Sequence, residues 1–227
     1  MAQYPRLQVI SSMLETGLVP LFYHEDPQIA AKVIQACLDG GARCIEFTNR
    51  GDSAYYVFTE LVRQFKNDPR LILGAGTILD SATSALFLQL GSNFIVGPTF
   101  NPDVARLCNR RMVAYMPGCA TTTEISNAQE LGVEICKVFP GEELGGPAFI
   151  QAVRAPLPWS KLMPTGGVNL DRENVSAWIK AGAACLGMGS KLISAKAVAA
   201  GDYSAIAGNV QKVLEWIQEA RADRAVN

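Results

Sequence analysis

Glycine recurs in this chain at the ends of predicted helices, and an apolar, β-type run follows each one within a few residues. The positions are Gly41, Gly91, Gly132 and Gly182, which lie 50, 41 and 50 residues apart. Each marks every second helix-to-strand junction, so the pattern is a βα alternation repeated along the whole length. With about eight βα units and no linker, low-complexity tract or charge block, the expected architecture is α/β: a single (β/α)8 TIM barrel with a short N-terminal helix, residues 1–227 forming one domain. An open doubly wound sheet is the alternative.

The local signals place the elements. Tyr4 to Glu15 is a short amphipathic helix with Leu7, Ile10 and Leu14 on one side. Strands are expected at Leu18–Tyr23, Cys44–Thr48, Leu71–Thr77, Phe94–Thr99, Met112–Met116, Glu134–Pro140, Lys161–Gly167 and Cys185–Gly189. Asp26-Pro27 and Asn101-Pro102 each pair a capping side chain with proline at the first helical position. Thr121 to Glu124 reads as a capping box. The clearest helix carries Ala54, Val57, Phe58, Leu61, Val62 and Phe65 at helical spacing, and the last helix runs from about Tyr203 to Ala220.

One strand breaks its own pattern. In EICKVFP, Glu134 to Pro140, Lys137 interrupts an otherwise apolar, β-branched run. Lysine is rarely buried unless something pairs it or uses it. Desolvation favours the neutral amine, which is a nucleophile able to form a Schiff base with a ketone. The bland reading is a strand-end lysine that snorkels to water.

In a barrel the reactive groups gather at the C-terminal ends of the strands. Glu46 is the only acidic residue inside its strand, and Cys44 and Thr48 share its face by alternation. A buried carboxylate is either paired, with Arg50 or Lys137 as the candidate partners, or it works as a proton carrier opposite the lysine. Thr77, Pro98 and Thr99 close strands three and four. Lys137 and Phe139 share a face of the sixth strand. Thr165-Gly166-Gly167 and Gly189-Ser190 close the last two strands, where exposed backbone N–H groups form phosphate sites in such barrels; tight turns would use the same glycines. Neither is a dinucleotide fingerprint. Arg50 is a carboxylate clamp or a solvated loop residue, and His24, beside a helix start, reads as a surface residue.

Composition narrows the partners. Net charge is −1 with mixed signs, which gives no footprint for nucleic acid. No apolar run is long enough for a bilayer, and MAQYPRLQVI lacks the start of a signal peptide. The six cysteines are scattered without a CxxC pair, as buried apolar residues of a reducing cytoplasm would be. With a single histidine, no metal site and no cofactor are expected. The chemistry left open is a Schiff-base lyase, a sugar-phosphate isomerase or epimerase, or a phosphate binder without turnover.

The spaced set IEFTNRG (Ile45–Gly51), GAGTIL (Gly74–Leu79), VGPTFNP (Val96–Pro102), MPGCAT (Met116–Thr121), KVFPG (Lys137–Gly141), PTGGV (Pro164–Val168) and GMGS (Gly187–Ser190) resembles the KDPG/KHG aldolases, in order and over nearly the whole chain. These are the 2-dehydro-3-deoxy-6-phosphogluconate and 4-hydroxy-2-oxoglutarate aldolases. The resemblance implies a metal-free class I aldolase, a TIM barrel and a homotrimer. It makes Lys137 the Schiff-base lysine and Glu46 the general acid/base. It gives Arg50 and Thr77 to the pyruvate carboxylate, and Pro98, Phe139 and Thr165 to the substrate pocket. Gly166, Gly167, Gly189 and Ser190 would bind phosphate. The galactonate epimer is a substrate alternative. The chain departs from the family pattern at Tyr23, at KVFPG in place of K-F-F-P-A, and at Lys191, where tryptophan is common.

Overall fold

The structure is a computed structural model that describes residues 2–226, the last two by backbone alone. Met1 and Asn227, the ends of the expected domain, lie outside the described residues. In chain order the elements are α1 (Arg6–Thr16), β1 (Leu18–Phe22), α2 (Pro27–Asp39), β2 (Cys44–Thr48), α3 (Ala54–Gln64), β3 (Ile72–Gly76), α4 (Ser81–Leu90), β4 (Phe94–Val96), α5 (Pro102–Arg111), β5 (Ala114–Met116), β6 (Gly118–Cys119), α6 (Thr122–Glu130), β7 (Ile135–Val138), α7 (Pro147–Arg154), β8 (Lys161–Pro164), α8 (Arg172–Lys180), β9 (Leu186–Met188), α9 (Ala195–Ala200) and α10 (Tyr203–Val226).

The local chemistry read from the sequence forms these boundaries. Asp26 accepts from the N–H groups of Gln28 and Ile29, and Asn101 from those of Asp103 and Val104. Thr121 and Glu124 close the capping box in both directions. All four punctuating glycines have φ between 78° and 107°, the left-handed region that only glycine enters without steric cost.

Every strand pair is parallel. Six strands hydrogen-bond in the order β5-β4-β3-β2-β1-β9, and three in the order β6-β7-β8. Each of the eight expected strands is represented, several of them shorter than expected at the C-terminal end, where the chain leaves the ladder. The expected fifth strand ends at Met116 as read; Pro117, which has no N–H to donate, follows it, and the chain resumes pairing at Gly118 in a two-residue strand outside the expected eight. The carbonyl of Pro117 still accepts from the N–H of Lys137 at 2.9 Å. At the other sheet edges, Thr165 bridges Gly187 and the Ala184 N–H reaches the Leu162 carbonyl at 2.8 Å. The result is a curled parallel sheet.

Two apolar clusters separate the faces of that sheet. The larger one joins Ile45, Phe47, Leu73, Ile95, Cys136 and Leu162 to helices α2–α10. The smaller one takes Val19, Cys44, Ile72, Val96, Met116, Ile135, Met163 and Cys185, and of the helices only α1 reaches it, through Val9, Ile10 and Met13. A doubly wound sheet would carry helices on both faces; here one face is an interior and α1 plugs its lower end.

Three expectations are corrected. Leu7 does not face the core: it is 74% exposed, and Val9 and Met13 take the inward positions, because the helix rotates to fit the interior it plugs. Met112 is the left-handed cap of α5 (φ 52°), not a strand residue. The short helix α9 lies outside the expected elements; it follows Ser194, whose side chain accepts from the N–H of Ala197, and it contributes no buried residue that periodicity could reveal.

Candidate active site

Alternation from the interior cluster fixes where the lysine and the glutamate singled out by the sequence go. On β2, Cys44, Glu46 and Thr48 share the inner face; on β7 and its continuation, Ile135, Lys137 and Phe139 do. Lys137 is 6% exposed, so the snorkelling alternative fails. Its Nζ sits 5.2 Å from the centroid of the Phe139 ring, a cation–π distance.

Glu46 is 1% exposed, and neither carboxylate oxygen has a hydrogen-bond partner among the described residues. The ion pair with Arg50 or Lys137 that the sequence allowed is not formed. The carboxylate lies over Gly76 on the neighbouring strand, where a methyl group would collide with Oε1. Gly76 is therefore required by close approach, and β3 is shaped to leave room for this acid. The register supports the arrangement, since Glu46 pairs with Gly74 and Thr48 with Gly76.

Immediately beyond Gly76, Thr77 adopts φ 59°, a left-handed conformation rare for a β-branched residue. Such backbone costs of order 1–3 kcal/mol and concentrates at functional sites. Pro98 is half-buried and its carbonyl packs against Gly118, where a Cβ would strike it.

Above these residues opens a cavity of about 710 Å³. Seven of the predicted residues line it: Arg50, Phe139, Thr165, Gly166, Gly167, Gly189 and Ser190. Thr48 and Phe139 also line it, each one inward position beyond Glu46 and Lys137. The acid and the amine lie beneath that floor rather than in the lining, and Thr77 and Pro98 stand outside it as well. Thr48 Oγ1 donates to the Phe22 carbonyl at 3.2 Å, which fixes the threonine at the rim.

The glycine loops are built to present donors. Gly166 and Gly167 both have positive φ, 86° and 77°. The parallel bridge between Thr165 and Gly187 holds the start of this loop against β9, and the Gly167 carbonyl accepts from Asn174 Nδ2 at 3.2 Å and Trp178 Nε1 at 3.4 Å. The loop is thus tied to β9 at its start and to α8 through the Gly167 carbonyl. Thr165 Oγ1 is buried without a partner, and Gly187 has no side chain because Thr165 Oγ1 occupies that space.

Sequence reasoning missed much of the wall. Ile29 and Val33 of α2, Ile193, and Ala195, Val198 and Ala199 of α9 make one side of the cavity apolar. Their helical spacing marks them only as core residues, and α9 itself was invisible. His24 is not the surface residue its place beside a helix start suggests; it is half-buried, lines the cavity, and accepts from the Asp26 N–H through Nδ1 at 3.0 Å. Tyr23 packs against Phe47 and sets its hydroxyl over Gly51, where no Cβ would fit, and Lys191 adds a cation beside the glycine loops.

Among known proteins, the 2-dehydro-3-deoxy-phosphogluconate aldolase of Treponema pallidum (strain Nichols) is 30% identical over 212 residues, 93% of this chain and 98% of that one. The KHG/KDPG aldolase of Escherichia coli (strain K12) is 28% identical over 205 residues, 90% of this chain and 94% of that one. A crystal structure of KDPG aldolase from Legionella pneumophila, with pyruvate captured at low pH as a covalent carbinolamine intermediate, matches with a TM-score of 0.82 at 22% identity, over 91% of this chain and 98% of that one. At that identity the likeness speaks for the fold. The family model described as KDPG and KHG aldolase matches residues 9–209, from the helix that plugs the interior, through every strand, into α10. The likeness therefore extends over the whole sheet that carries Lys137 and Glu46, and this chain belongs to the KDPG and KHG aldolase family.

Proposed function

We propose that this protein is a class I aldolase cleaving 2-dehydro-3-deoxy-6-phosphogluconate to pyruvate and glyceraldehyde 3-phosphate. The observation that carries the reading is a buried lysine on the same interior face as a fully buried carboxylate that has no hydrogen-bond partner among the described residues. The Lys137 amine adds to the C2 ketone and loses water to give an iminium ion. Glu46 takes the proton of the C4 hydroxyl; the C3–C4 bond breaks, its electrons pass into the iminium as an enamine, and the aldehyde product departs. Protonation at C3 and hydrolysis release pyruvate and free amine.

The remaining roles are those that the family likeness implies. Arg50 and Thr77 hold the carboxylate next to the ketone, with Pro98 and Phe139 packing the pyruvyl half. Thr165 contacts the substrate through its unsatisfied hydroxyl. Gly166, Gly167, Gly189 and Ser190 bind the phosphate with backbone N–H groups and a hydroxyl. We further propose one domain and a closed eight-stranded barrel, β5 and β6 being one strand bent at Pro117. The chain-edge hydrogen bonds and the single interior cluster support this closure. A homotrimer follows from the family likeness, and the exposed Tyr55, Tyr56, Leu79 and Leu86 supply apolar surface for it. A reducing cytoplasm suits the six unpaired, buried thiols; among the described residues no helix is long and apolar enough to cross a membrane.

Borohydride reduction in the presence of pyruvate tests the mechanism. A stable adduct on Lys137 is expected, absent from Lys137→Ala; no added mass, or mass on another residue, removes the proposal. Pyruvate release from the phosphogluconate, phosphogalactonate and 4-hydroxy-2-oxoglutarate substrates, compared in one assay, then identifies the substrate.

A further inference from the structure

At the opposite end of the sheet from the glycine loops lies a second concavity of about 550 Å³, within the size range of small-molecule sites. It is formed where the N-terminal ends of β8 and β9 meet α1 and α10. Four of its lining side chains are cations (Arg154, Lys161, Arg221 and Arg224), and none of the lining residues is acidic.

Part of this charge has a structural use. Arg221 donates to the carbonyls of Leu14, Glu15 and Ala184, Arg154 to those of Gly182 and Pro158, and Arg224 to that of Ile179. All of these acceptors are neutral. Arginine at a helix C-terminus is favourable, but each helix end offers only about half an elementary charge, so the ends of α1 and α8 offset about one of the four. Among the described residues none of the four cations forms an ion pair with a carboxylate. Lys161 is exposed at the start of β8, and its side chain has no hydrogen-bond partner among the described residues. Burial first, and then the like charge of Arg224, hold the Arg221 guanidinium below its ordinary pKa. Beside these groups stands Trp159, with 66% of its surface exposed. An indole left this open offers a planar face on the rim.

An uncompensated cluster of cations in a concavity attracts a polyanion, and an exposed indole at its edge selects one with a flat ring. We propose that this concavity is a second ligand site, distinct from the aldolase mouth, for a small polyanion bearing an aromatic base, of the nucleotide class. The phosphate chain lies among Lys161, Arg221 and Arg224, and the base stacks on Trp159.

Calorimetric titration of the intact protein with ATP, pyrophosphate and adenosine tests this site. ATP should bind saturably, pyrophosphate more weakly, and adenosine not at all over the same range. Lys161→Ala/Arg224→Ala should weaken ATP at least tenfold while pyruvate trapping on Lys137 is unchanged. Trp159→Ala should bring ATP down to the affinity of pyrophosphate. If the double variant folds poorly, the single change Lys161→Glu, at an exposed side chain without hydrogen bonds, should weaken ATP in the same direction. Absence of saturable binding by ATP and pyrophosphate would overturn the proposal, as would equal affinity in the Lys161 variants, which would place the anion at the glycine loops.

Discussion

Glu46 is buried, and neither of its carboxylate oxygens has a hydrogen-bond partner among the described residues. A carboxylate taken out of water without partners costs several kcal/mol, and this one is retained beside a glycine that exists to accommodate it. Glu46→Gln keeps the shape and removes the charge. Turnover should fall by about 10²–10⁴-fold, the usual share of a positioned proton carrier, while borohydride trapping of pyruvate on Lys137 persists and the melting temperature holds or rises. A large loss of stability instead would mean that the carboxylate is structural. The cysteines give a second residue-scale prediction. Burial pushes the Cys37 and Cys185 thiols from an ordinary value of 9.0 up to about 12. The folded state therefore holds protons that the unfolded chain releases between about pH 9 and 12, so stability declines as pH rises through that window. Alkaline melting curves should show it, and all six thiols should react with a disulfide reagent only on unfolding.

At the scale of elements, α1 is the piece whose contacts reach furthest along the chain. Arg6 donates to both oxygens of Glu134 at 2.7 and 2.9 Å, to Asn109 Oδ1 at 2.6 Å, and to the Gly132 carbonyl. That clamp holds Val9, Ile10 and Met13 in the interior mouth opposite the glycine loops. Arg6→Ala should lower the unfolding free energy by about 1.5–3 kcal/mol, the range for charge-assisted hydrogen bonds. Met13→Ala should cost about 2–5 kcal/mol through the cavity it leaves. In both, denaturant midpoints should move while the substrate preference stays, because the plug and the loops lie at opposite ends of the strands.

For the whole molecule, the proposed trimer predicts a mass of three times 24.4 kDa by light scattering, and a monomer at working concentration would remove it. The amino-acid sequence by itself determined the order and type of nearly every element, the capping of α2, α5 and α6, and the inward orientation of Lys137 and Glu46. Those features depend on residues a few positions apart, and helix and strand periods are written at that range. Tertiary structure decided the rest. The break at Pro117 is a matter of which neighbour's carbonyl remains to be paired. The missing partner of Glu46, the apolar wall from α2 and α9, and the cation cluster drawn from Arg154, Lys161, Arg221 and Arg224 all depend on how distant segments meet, and no local pattern records that.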